Sequence, residues 1–555
     1  MPTSSLVIAA AGIVLLLLGY LVYSRMFAKV WGIDPHRETP AKAHYDGVDY
    51  VPVKHWTILF GHHFASIAGA APIIGPILAL SIWGWAPALI WIVLGTIFFG
   101  GIHDFSSLMV SLRHNGTSIA DVSKTVISRR AKIVFSIFIW LTLILVIAVF
   151  VHFCAQTLVV EKKIVVPTFG LIPLAMLVGF MLYDLKFNQL SVTLLGLALF
   201  VGLIFLGNLL PLELVRLTFR IQGFTLTLGP LQLWGLILLF YAFIASITPV
   251  QILLQPRDYL CSFLLLAGVL FGLTGLVISR PQMQLPAFIG WQSKQGYLWP
   301  MLFVTVACGA ISGFHSLIAS GTTSKQLPSE KDARKIGYGA MITEGLVALL
   351  ALLIVGSAIA NLRSLNETLN RGGGPVAVYG KAFAIVTKPF LGKWGGLLAV
   401  AILNAFILTT LDTATRIGRY LTSELFGLKN RYISTLLVVI CGGTLALSGK
   451  WSVIWPMFGT ANQLVAALAL IVVTAWLLSQ DKSIKFTIWP ALIMLATTIA
   501  ALIYQIRSFM KSQEMVLVVI ACALLVLAGY MLLEIDIILF RSLKKKKKIK
   551  QGYYG

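Results

Sequence analysis

TILFGHHFASIAGAAPIIGPILALSI, residues 57–82, is apolar and long enough to cross a bilayer, yet its middle holds Gly61, His62, His63, Ser66, Gly69, Pro72, Gly75 and Pro76. A lipid-facing helix gains nothing from such content. Pro72 and Pro76 each remove a hydrogen-bond donor and crowd the preceding turn. Two adjacent imidazoles in hydrocarbon are costly unless they face a cavity or a partner. Irregular backbone at membrane depth is tolerated only where protein buries it or it lines a watery cavity. The stretch therefore predicts a broken membrane helix at a solute site. The rival reading is a Pro-kinked helix whose Gly and Ala residues permit close packing.

The rest of the chain has the same character. Of its 555 residues, 58% are hydrophobic and 11% charged, which excludes a soluble globular class and indicates an all-α polytopic membrane protein. Cys154, Cys261, Cys308, Cys441 and Cys522 all lie in apolar stretches without CxxC spacing, so no disulfide framework or zinc site is implied. The net charge of +23 does not point to nucleic acid, because the basic residues collect in short loops between spans. The tail Lys544–Lys548, within a basic segment 542–555, reads as a stop signal or a contact to anionic lipid.

An uncleaved first span occupies 4–24, so that 1–24 forms an extra N-terminal transmembrane helix. Further spans are expected near 57–82, 85–111, 132–157, 164–183, 190–209, 226–250, 258–280, 297–321, 336–360, 394–413, 431–448, 452–478, 485–506 and 515–541, about fifteen in all. With the N-terminus outside, alternation puts 29 of the 43 Lys and Arg residues on the inner side. This follows the positive-inside rule and predicts a multi-pass protein of the cell inner membrane with a cytoplasmic C-terminus. The exception is 361–393, with five basic residues outside, where 376–392 reads as an amphipathic surface helix.

Gly61-His62-His63 with Gly69 matches Gly313-Phe314-His315 with Gly321 at an offset of 252. Seven spans separate the two, so they run in opposite directions, as inverted-topology repeats with discontinuous helices require. The halves would be 57–280 and 297–541. This offset fits seven-plus-seven spans; a five-plus-five arrangement needs extra helices placed elsewhere.

Asp104, Glu344, His63 and His315 fall at similar depth from the inner ends of their spans. A lone carboxylate in a span needs a partner or a proton, so Asp104 and Glu344, with His103, are candidates for ion coupling. His63, Ser66, Gly69, Ser312, His315, Gly321, Thr248 and Asn462 are candidates for binding substrate at the helix breaks. Asp412 is expected near a span end, paired with Arg416 or Arg419, and Arg257 at the inner interface. No HExxH or GxSxG motif is present, and Gly449-Lys450 lacks the rest of a P-loop. No cofactor is implied, and without a nucleotide site active transport would use an ion gradient.

HHFASIAGAAPIIGP (62–76), GGIHDFSSLMVSLRHNG (100–116), IASITPVQILLQPRDYL (244–260), CGAISGFHSLIASGTTSKQL (308–327), TTLDTATRIGRYL (409–421) and WPMFGTANQLVAALAL (455–470) together resemble the carbon starvation protein A (CstA) family. The resemblance covers nearly the whole chain. It implies the inverted-repeat fold of the amino acid–polyamine–organocation superfamily, and peptide uptake or proton-coupled pyruvate uptake during carbon starvation. The expectation is a secondary transporter of a small carboxylate-bearing nutrient, pyruvate or short peptides, coupled to protons or sodium, and not an enzyme. A carboxylate suits the positive ends of broken helices. The rivals are a membrane metalloenzyme using His62, His63, His103, Asp104, His315 and Glu344 as ligands, and a nutrient sensor without flux.

Overall fold

The computed structural model describes residues 4–552 apart from 48, 54, 222–223, 250–251 and 372, and helices dominate it. The principal helices are α1 (Ser5–Trp31), α2 (Trp56–Ile67), α3 (Ala71–Trp83), α4 (Trp85–Leu112), α5 (Arg129–Val160), α6 (Val165–Tyr183), α7 (Gln189–Leu209), α8 (Pro230–Ile247) and α9 (Leu254–Ser279). They continue with α10 (Leu298–Val306), α11 (Gly313–Gly321), α12 (Gly339–Ala358), α13 (Gly374–Leu391), α14 (Trp394–Phe426), α15 (Arg431–Leu447), α16 (Trp451–Ser479), α17 (Lys485–Lys511) and α18 (Met515–Gly552). Two short antiparallel hairpins, 217–228 and 292–297, are the strand pairs among the described residues.

Among the described residues, length and composition give thirteen spans, or fourteen if one bent pair counts as a span, and Arg431–Leu447 is a shorter apolar helix, so the expected count of about fifteen is not confirmed. The side chains of Lys544–Lys548 lie outside the described residues.

The stretch 57–82 is broken as its composition predicts. α2 and α3 meet at 42° across residues 68–70. Pro72 lies in the first turn of α3, where a missing N–H costs nothing, and Pro76 lies inside the helix. The second break falls at 307–312, upstream of much of the expected Ser312–Gly321 segment. No proline sits there. Ala307 instead adopts φ +40°, a left-handed value rare outside glycine.

The two broken spans lie antiparallel in close contact. A Cβ on Gly75 would be 2.7 Å from the Val306 carbonyl, and one on Gly309 would be 3.6 Å from Pro72 Cα. His63 in turn reaches Thr323 beyond α11. The sequence match at offset 252 does not survive this geometry. Gly61-His62-His63 precedes its break, whereas Gly313-Phe314-His315 follows its own.

α16 splints the second break. Asn462 Oδ1 accepts from the Phe314 N–H at 2.8 Å, and Gln463 Nε2 donates to the Phe303 carbonyl at 2.7 Å. Trp455 Nε1 donates to the Thr305 carbonyl at 3.3 Å. These side chains satisfy backbone groups that interrupted helices free. Glycine permits the approach, since a Cβ on Gly459 would be 2.1 Å from the Val304 carbonyl and one on Gly313 2.2 Å from that of Asn462.

α13 covers most of the segment expected as a surface helix. Its Val376, Val378, Phe383 and Val386 are buried, and it packs on α9, α12 and α14. Helices α6 and α7 form a hairpin at the periphery, with Leu190, Leu194 and Phe205 more than half exposed.

Candidate functional site

Beside the two breaks, four of the candidate residues join into one chain. His103 Nδ1 lies 2.8 Å from Asp104 Oδ1, and His315 Nδ1 lies 2.8 Å from Asp104 Oδ2. His315 Nε2 then lies 3.2 Å from Glu344 Oε2, at ion-pair distance without hydrogen-bond alignment. All four side chains are completely buried. They come from α4, α11 and α12, and among the described residues no Lys or Arg pairs with either carboxylate. Imidazole and carboxylate alternate, so each link offers a proton donor facing an acceptor.

His63 is also fully buried and joins the neighbourhood through Thr323, 2.8 Å from its Nδ1. At the first break the polar groups are left open. His63 Nε2, Ser66 Oγ and Thr410 Oγ1 have no hydrogen-bond partner among the described residues, and neither does either oxygen of Glu344. Gly69 sits in the break, where a Cβ would be 2.8 Å from both the Phe150 ring and Thr410 Oγ1. The first break thus gathers side-chain groups without partners among the described residues, packed closely against Phe150.

The remaining candidates separate from this cluster. Ser312 and Asn462 bond to each other at 2.9 Å and brace the second break, so Asn462 is committed to structure rather than free for a ligand. Gly321 ends α11 half-buried, with open space where a Cβ would stand. Thr248 is outside the cluster because α8 stops before Thr248-Pro249; the residue preceding a proline disfavours helix. Its hydroxyl turns back to the Ile244 carbonyl at 2.8 Å.

A second buried network joins residues expected apart. Arg257 and Asp412, both completely buried, bond directly. Tyr241 donates to Asp412 Oδ2 at 2.7 Å and accepts from Arg257. Asp258 Oδ1 lies 3.4 Å from Arg257 Nη2, and Asp258 Oδ2 lies 3.1 Å from His62 Nδ1. Asp412 is therefore inside a 33-residue helix, not near a span end, and Arg257 lies in the first turn of α9, buried in the protein. Arg416, expected to pair with Asp412, bonds to the Ala245 and Thr248 carbonyls where α8 ends. The sequence signal was the dipeptide Arg257-Asp258 inside an apolar span, where a lone charge demands a partner.

No group of three His, Cys, Asp or Glu among the described residues could hold a metal, so the metalloenzyme reading gains no support.

The family profile "Carbon starvation protein CstA" matches residues 4–388 and 363–501. The pyruvate/proton symporter BtsT of Escherichia coli (strain K12) is 31% identical over 90% of this chain and 81% of its own. The peptide transporter CstA of Helicobacter pylori (strain J99 / ATCC 700824) is 32% identical, with the same coverage of both chains. A solved manganese transporter mutant from Eremococcus coleocola aligns over 88% of this chain and 97% of its own, at 13% identity and TM-score 0.45. The chain is a multi-pass membrane transporter, not an enzyme, and it belongs to the carbon starvation protein CstA family.

Proposed function

We propose that this protein carries a small carboxylate-bearing nutrient, pyruvate or a short peptide, into the cell together with protons. The observation that carries the reading is the buried His103–Asp104–His315–Glu344 chain, which has protonatable groups and, among the described residues, no Lys or Arg partner. A carboxylate in a span is costly unless paired or protonated, so these groups suit reversible protonation. The groups left open at the first break suit the substrate, with N–H groups at the start of α3 facing a carboxylate. The relatives' names, a pyruvate/proton symporter and a peptide transporter, point the same way.

Five-plus-five inverted repeats fit better than seven-plus-seven. Support comes from paired helix lengths after each break. The second spans have 28 and 29 residues, the third 32 and 33, the fourth 18 and 17, and the fifth 26 and 29. The third spans, α5 and α14, pack on each other, as do the fourth, α8 and α15. Each second span also carries a π-helical turn, at Thr96–Gly100 and Arg334–Tyr338. In this reading α1, the α6–α7 hairpin, α13 and the final two helices are additions.

The experiment is uptake of labelled pyruvate and of a dipeptide into proteoliposomes. Accumulation driven by an alkaline interior is expected, and accumulation driven only by sodium would overturn proton coupling. The charge bias supports an inner-membrane protein with the N-terminus outside, the C-terminus cytoplasmic and the basic tail against anionic lipid. Single cysteines near Lys162 should then be labelled from the periplasm and those near Lys331 protected. The reverse pattern would overturn the orientation.

A further inference from the structure

Resting on the proton-coupled reading, we infer that His62, held by Asp258 at the wall of a cavity on the α2 side of the break, is the group through which the coupled proton leaves to the cytoplasm. His62 and His63 are neighbours in sequence, yet successive helical residues point about 100° apart. His63 faces Thr323 and the central chain, whereas His62 faces α9 and the Asp258–Arg257–Asp412 network.

The tautomer follows from the bonding. His62 Nδ1, 3.1 Å from Asp258 Oδ2, carries the hydrogen toward the carboxylate. A neutral ring then has its lone pair at Nε2. That atom is buried and has no partner among the described residues. The ring borders a cavity of about 300 Å³ whose walls include Pro52, Ile58, Gln189, Gln255 and Gln326. Nε2 itself is buried, so its proton passes to the cavity only when water reaches that side of the ring, and its departure leaves neutral imidazole still bonded to Asp258.

Arg257 is shared between two carboxylates, and its direct bond goes to Asp412. The second oxygen of Asp258 is left to His62, where it stabilises the imidazolium while the proton is in transit. The other charged groups on elements packed against α2 include His315 on α11, Glu344 on α12, Asp412, Arg416, Arg419 and Glu424 on α14, and Arg334 and Lys335 in the turn before α12. His315 and Glu344 belong to the central chain, which places His62 and His63 between it and the cavity.

The test uses the full-length protein in proteoliposomes with an internal pH dye. Wild type, His62→Gln and Asp258→Asn are compared for pyruvate-evoked proton entry, net uptake and pyruvate counterflow at equal pH. Net uptake and proton entry are expected to fall at least tenfold in both variants, while counterflow, which needs no empty return, stays within about twofold. Proton entry per pyruvate unchanged in His62→Gln would overturn the assignment alone. Loss of counterflow in a folded His62→Gln protein would also overturn it, placing His62 in substrate binding. Asp258→Asn, nearly isosteric, decides the matter if His62→Gln does not fold. Absence of proton entry in wild type with pyruvate and with the dipeptide alike would overturn the coupling reading, and this inference with it.

Discussion

Glu344→Gln and Asp104→Asn are each expected to turn concentrative uptake into equilibration. One proton moving down a gradient of about 1 pH unit supplies about 1.4 kcal/mol, enough for about tenfold accumulation. The substrate ratio across the membrane should therefore drop from about ten to about one, while exchange of internal for external substrate continues. Each substitution keeps the size of the side chain and removes its exchangeable acid. Glu344 touches the chain only through His315, so its loss should spare the His103–Asp104–His315 links. Accumulation at the wild-type ratio in both variants would move the coupling role elsewhere.

The second large effect is on stability. Asp412→Ala leaves the completely buried Arg257 guanidinium without its direct partner. Removing one member of a buried ion pair costs about 3–5 kcal/mol, much of it the burial of the remaining charge. The purified protein should unfold at a clearly lower temperature, measured by tryptophan fluorescence in detergent. The double replacement Arg257→Leu with Asp412→Leu should recover part of that loss, since it removes the directly bonded pair but leaves buried Asp258 with His62 alone. An Asp412→Ala protein melting with wild type would show that Asp258 and Tyr241 suffice to hold Arg257.

What could be read from the sequence was local. Pro72 and Gly69 announced the first break because backbone chemistry there is decided within one turn. Asp104, Glu344 and His315 stood out because a carboxylate or imidazole in an apolar run is conspicuous whatever its neighbours. The second break was harder to place. It is made by Asn462, Gln463 and Trp455 reaching across from α16, some 150 residues away, and by a left-handed Ala307. Arg257–Asp412 was missed for the same reason. Sequence proximity suggested Arg416, four residues on, whereas burial selected a partner 155 residues distant. The repeated Gly-x-His string misled because three shared residues carry no information about which side of a break they occupy. Helix lengths, which need the structure, fit repeats at another register.

The splint on the second break has a mechanical consequence. To straighten or swing α10 against α11, the chain must give up the hydrogen bonds from Asn462, Gln463 and Trp455, each worth about 0.5–1.5 kcal/mol net. At the first break Ser66 and Thr410 are unbonded among the described residues, and the side chain that meets its backbone is His315, at the Ile67 carbonyl. The two hinges are therefore unequal in stiffness, and thermal energy bends the compliant one first. Of the two antiparallel arms, α2 is the lever and α10–α11 its fulcrum, so the half-helix bearing both histidines is the one that travels when the protein changes the side it faces.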